Sequence, residues 1–256
     1  MCEVKASGTS TRTYSYRDAA GKPVPPVKMS VELEATIKVL AVEANAHAST
    51  KLQLNIKKFI RDGDPLVPAG TVIVLENRGD SVSCTIDGEA IDPDVREAVD
   101  LLVSVHSPRK HESLDDVMEP DQPKKVGDTW QPDPAHLARY WATAEYPLDK
   151  DDVKCTVKLA GVDNGPHGPV LHIDLTTELK MHQTDWHNNY RINDSLTKTA
   201  SSETLPEDPS DCHSEFHDGS TFTAKMSYKT PDGKTMDYDF TAERSVSGTV
   251  TPVDSK

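Results

Sequence analysis

Apolar and polar residues alternate strictly through VKMSVELEATIKVLA. Val27, Met29, Val31, Leu33, Ala35, Ile37, Val39 and Ala41 share one parity, and Lys28, Ser30, Glu32, Glu34, Thr36 and Lys38 share the other. Successive side chains on a strand point to opposite faces, so this period of two predicts a long strand with one buried and one wet face. At about 3.3 Å per residue the segment would span roughly 50 Å.

The pattern recurs down the chain. Leu52, Leu54 and Ile56 alternate until KKF, where the phase slips to Phe59, as a β-bulge requires. TVIVLEN and SVSCTID follow, joined by the hairpin signal NRGD. Val153, Cys155, Val157 and Leu159 alternate, and the chain then turns through GVDNGPHGP. Leu171, Ile173, Leu175, Thr177, Leu179 and Met181 stand opposite His172, Asp174, Thr176, Glu178, Lys180 and His182. Tyr190, Ile192, Leu196 and Ala200 share one parity in a segment that ends at the turn LPEDPSD. A last hairpin pairs Phe222, Ala224, Met226 and Tyr228 with Met236, Tyr238, Phe240 and Ala242 across TPDGK.

Two segments carry the helical period instead. DPDVREAVDLLVSVH offers Asp92 as N-cap, Pro93 at the first helical position and a stripe of Val95, Ala98, Val99 and Leu102. DPAHLARYWATAEY repeats the device with Asp133, Pro134 and the stripe Leu137, Tyr140, Trp141 and Ala144. The pattern therefore predicts an α+β, mostly β fold. A large curved antiparallel sheet, a half-barrel or an open sandwich, has one face covered by two amphipathic helices. Residues 1–256 read as a single β-rich domain; the alternative is two halves, 1–105 and 127–256, joined by the Pro-rich charged loop 106–126.

Composition narrows the partners. A net charge of -14 repels phosphate backbones, so neither nucleic acid nor an anionic membrane surface is expected as a partner. Aromatic residues make up only 5%, which argues against a stacking platform for bases or sugars. Mean hydropathy is -0.57 and no apolar run is long enough to cross a bilayer, so no transmembrane segment is expected. The opening MCEVKASGTSTRTYSYRD lacks the charged start and apolar run of a signal peptide. It fits either a cytoplasmic chain or a mature exported domain restarted with methionine. Cys2 beside Met1 suits the second case, since mature lipoproteins begin with cysteine; an ordinary residue in a frayed terminus is the alternative. Four cysteines (Cys2, Cys84, Cys155, Cys212) allow three two-disulfide connectivities and contain no C-x-x-C, which leaves the redox compartment open.

The order KFIRDGDPLVPAGTVIVLEN, IDPDVREAVDLLVSV, KKVGDTWQPD and DDVKCTVKLAGVD resembles a family of uncharacterised exported bacterial proteins. In that family K-V-G-D-x-W precedes a short helix and a late L-P-x-D-P-S turn appears, here LPEDPS. The resemblance spans most of the chain and implies an exported, periplasmic or envelope-associated location without any activity. In outline the architecture is also similar to lipoprotein-carrier half-barrels, which hold acyl chains between a curved sheet and helices. The histidines depart from the family pattern, so a histidine-based role would be particular to this chain.

Those histidines are the main chemical candidates. A metal needs three or four ligands within about 2.0–2.3 Å. Cys212, His213 and His217 offer the ligand types, with His167 and His172 at the same end of the sheet; solvated polar residues at a strand start are the competing reading. His182, His187 and Trp186 lie at the other end, separated by the intervening strand. They form a candidate contact surface rather than part of the same site. No G-x-S-x-G elbow, G-x-G-x-x-G or P-loop appears, so no catalytic residue and no cofactor other than that metal is assigned. Trp130 in KKVGDTW reads as a core anchor for the long loop, with a pocket-mouth role as the alternative.

The expectation is a non-catalytic, envelope-associated binding protein with a hydrophobic or lipid-like ligand between sheet and helices. A protein-interaction or structural envelope module using loops 106–126 and 183–189 is the rival, and a metal-binding protein is the third.

Overall fold

The computed structural model describes residues 1–16, 22–42, 49–78, 81–103, 117–142, 148–165, 168–186, 190–206, 214–230 and 232–253, with backbone alone at 183–186. The first half contributes β1 (Cys2–Tyr14), β2 (Val27–Val42), β3 (Ser49–Arg61), β4 (Asp64–Pro65), β5 (Val72–Asn77), β6 (Val82–Ile86), β7 (Glu89–Ala90) and helix α1 (Pro93–Leu102). Then come β8 (Thr129–Trp130), helix α2 (Pro134–Trp141), a 3-10 turn (Lys150–Asp152), β9 (Val153–Gly165) and β10 (Gly168–Trp186). Three long strands complete the chain: β11 (Tyr190–Pro206), β12 (Ser214–Lys229) and β13 (Thr235–Pro252).

All the strands join one antiparallel sheet of 13, in the order β7-β6-β5-β3-β2-β1-β13-β12-β11-β10-β9-β8, with β4 paired to β3. The sheet is open, not closed into a barrel. The β1–β13 pairing, from Cys2 opposite Pro252 to Tyr14 opposite Phe240, carries it across both halves of the chain.

The alternation sets the buried face where it was expected: Met29, Val31, Leu33 and Ala35 on β2 are all buried. The β2 ends are not, since Val27 and Val39 are 51% and 50% exposed. The phase slip in β3 is a bulge. Lys58 pairs Glu34 and Ile56 pairs Ala35, leaving Lys57 as the extra residue.

Both helices start as their sequences dictate. Asp92 accepts from Asp94 N–H at 2.8 Å and Asp133 from Ala135 N–H at 3.0 Å, each with proline next in line. α1 lays Val95, Ala98, Val99, Leu101 and Leu102 on a core of Val4, Ala6, Val31, Leu33 and Phe59. α2 lays Leu137 and Ala138, together with Val117 and Met118, on Val153, Cys155 and Val157. Trp130 anchors this second cluster by donating its indole N–H to the Met118 carbonyl at 2.7 Å.

Two expectations are corrected. The opening segment is not a frayed terminus: β1 is a central strand, paired to β2 on one side and β13 on the other. Its core-facing residues are small (Val4, Ala6, Gly8), so the hydrophobic alternation is too faint to read. On β11, a register shift between Ile192 and Asp194 puts Tyr190 and Ile192 on the face opposite Leu196 and Ala200. A single parity could not describe that strand.

Candidate functional site: a tyrosine-lined cleft

The helix-bearing face divides into three parts. The regions under α1 and α2 are closely filled, with Ala98, Val99 and Leu137 at 0% exposure. A hydrophobic ligand expected between sheet and helices therefore meets packed side chains there. The third part lies at one end of β1, β13, β12 and β11, around buried Ile192, Ala224, Met226, Tyr238 and Phe240.

Here the register brings the aromatic residues together. Tyr14 sits opposite Phe240, Met226 opposite Tyr238 and Ile192, and Tyr228 opposite Met236 and Tyr190. A cleft of about 770 Å³ results, walled by Tyr14, Tyr16, Tyr190, Tyr228 and Tyr238, with Phe240, Met226, Met236 and Arg12. These are five of the chain's seven tyrosines. Low aromatic content thus coexists with one dense aromatic site.

The rings pack against one another in two groups. Tyr16 meets Tyr14 and Tyr238 edge-on at 5.4 Å each, and Tyr14 meets Phe240 at 5.1 Å. Across the cleft, Tyr190 and Tyr228 lie 4.6 Å apart at a 33° tilt. Edge-to-face and offset pairs of this kind hold rings in fixed directions. Burial pushes the Tyr238 phenol up to about 12, and the nearby phenols of Tyr190, Tyr16 and Tyr14 act in the same direction. In the same cross-strand row as Phe240 and Ala224, the buried Ser195 hydroxyl has no hydrogen-bond partner among the described residues.

The other face is polar and concave. A hollow of about 1040 Å³ is lined from Lys58 on β3 to Gly161 on β9. These strands stand seven places apart in the sheet, roughly 34 Å if it were flat, so the sheet curls around this face. His217 and His172 both line the hollow, as do Glu32, Asp174 and Glu215. His172 is already held, its Nε2 lying 2.8 Å from Asp163. Among the described residues no three histidines, cysteines or carboxylates are grouped to hold a metal ion. Cys212, His213 and His167 lie outside the described residues.

The remaining candidates separate as the strand order requires. His182 pairs Asp194 on β11 whereas His217 pairs Ser202, eight residues further on, or about 26 Å along the strand. His182 sits between two carboxylates, 3.1 Å from Asp194 and 3.6 Å from Asp152. His187 and the Trp186 side chain lie outside the described residues, as does most of loop 106–126.

Nor do the described cysteines offer a nucleophile. Cys84 and Cys155 are buried free thiols, and burial pushes Cys84 up to about 11 and raises Cys155 as well. Cys2 is disulfide-bonded, so its sulfur is not free for a lipid thioether, and with Cys84 and Cys155 free no two-disulfide pattern forms.

No protein-family model matches the chain, and comparison with curated proteins finds no match.

Proposed function

We propose that this is a non-catalytic binding protein that holds a hydrophobic or lipid-like ligand in the tyrosine-lined cleft. The observation that carries the reading is the convergence of four tyrosines and two methionines from four strands, with Tyr16 just past the end of β1, on one hollow of about 770 Å³. That volume falls in the range of small-molecule sites, which are mostly apolar with a few polar groups. Tyrosine rings supply apolar walls and phenol hydroxyls at modest entropic cost, and methionines adapt to an irregular ligand. The exported, envelope-associated location belongs to the same proposal. Its support is the disulfide at Cys2, since such bonds persist in oxidising compartments.

Native mass spectrometry of untagged protein tests the reading. A bound hydrophobic molecule should accompany the wild-type chain and be lost from a Tyr190→Ala/Tyr228→Ala variant of unchanged circular dichroism. A ligand-free wild type that also fails to take up an added long-chain alcohol would refute it.

A further inference from the structure

We infer that the ligand of this cleft is an anionic amphiphile, whose acidic head group sits on Arg12 while its apolar body lies along the tyrosines. The inference rests on the cleft being a ligand site, as proposed above.

Charge at the cleft runs against the rest of the chain. The sequence has 42 acidic and 28 basic residues, yet the nine side chains of the cleft include one cation and no carboxylate. That cation, Arg12, faces α1 at the cleft's edge and also lines an adjoining hollow of about 450 Å³ with Arg96, Arg244, Glu97 and Asp100.

The ion pairs there leave Arg12 with donors unused among the described residues. Asp100 is taken by Arg96 at 2.7 Å. Glu97 serves two guanidiniums, Arg12 at 2.6 Å and Arg61 at 3.0 Å. Arg244 donates to a neutral acceptor, the Leu101 carbonyl. Arg61 in turn also pairs Asp94 at 3.1 Å and Asp62 at 3.7 Å, so what distinguishes Arg12 is unused donors rather than an excess of positive charge. A guanidinium has five N–H donors in a planar fork that fits a carboxylate with two parallel bonds. Among the described residues Arg12 therefore combines spare donors with a position at the mouth of an aromatic trough that carries no carboxylate. A cationic head would meet the same π faces, but it would also meet the Arg12 charge.

Three probes with one ten-carbon chain separate the head group from the body: decanoate, decan-1-ol and decyltrimethylammonium. Each is titrated into the full-length chain below its micelle concentration and followed by calorimetry. Decanoate should bind about tenfold or more tighter than decanol, the span expected of a charge-assisted pair. Arg12→Gln should remove that advantage and leave decanol binding unchanged. Glu97→Gln, which releases Arg12 from its carboxylate, should strengthen decanoate binding alone; a purely structural role for Arg12 would not produce that gain. Decanol or decyltrimethylammonium binding as tightly as decanoate overturns the inference and leaves the cleft a ligand site. If none of the three binds, the reading of the cleft as a site for apolar ligands falls first.

Discussion

Gly8 on β1 lies against Leu102 of α1: a Cβ at position 8 would stand 2.8 Å from Leu102 Cδ2 and 3.1 Å from Leu101 Cδ2. The helix can approach the sheet closely only because this strand position lacks a side chain. Gly8→Val should therefore destabilise the fold by about 1–3 kcal/mol through overpacking, even though valine is the better strand former. Urea unfolding measures it, and an unmoved midpoint would show that α1 sits more loosely than described.

Alkali should expose the buried phenol. Tyr238 is raised by burial from the ordinary value to about 12, so the folded state holds this proton more tightly than the unfolded chain. Its contribution to stability is fully present below pH 10 and is lost as pH rises towards 12. Absorbance titration should show one late-ionising tyrosine that disappears in Tyr238→Phe. Its persistence in that variant would assign the late group to another ring.

Thiol reagents should find little to attack. Cys84 and Cys155 are buried, 5% and 6% exposed, and both are held protonated by burial. Native protein at pH 8 should leave both unmodified for hours, with rapid labelling once denaturant is added. Peptide mapping after labelling distinguishes the two positions, and prompt native labelling of either would contradict the packing around it.

Much of the framework was readable because burial imposes a period. β2, β10 and β3 up to its bulge show apolar residues at nearly every second position, and the Asp-Pro starts of both helices satisfy backbone donors in the way their sequences suggest. β1 escaped because α1 approaches too closely for a side chain at Gly8 and the neighbouring core position is only Ala6, so the hydrophobic signal is weak. The tyrosine cleft escaped for a different reason. Tyr228 and Tyr238 share the predicted last hairpin, but Tyr14, Tyr16 and Tyr190 join them only through the pairing of β1 with β13 and the register shift in β11. Neither property is encoded locally. A count of aromatics measures how many there are and says nothing of where they gather.

The partnership of β1 and β13 also bears on how the chain reaches this state. Ser7 and Ser247 face each other across that ladder though they are 240 positions apart. Every other long neighbour in the sheet is also a neighbour in sequence, so two meanders can form locally and early. Their union closes a loop of nearly the whole chain, and until then each presents an unpaired edge. During synthesis β1 waits longest, its outer hydrogen bonds unmet until the last strand emerges. A chaperone or a wrong strand has that whole interval in which to reach it.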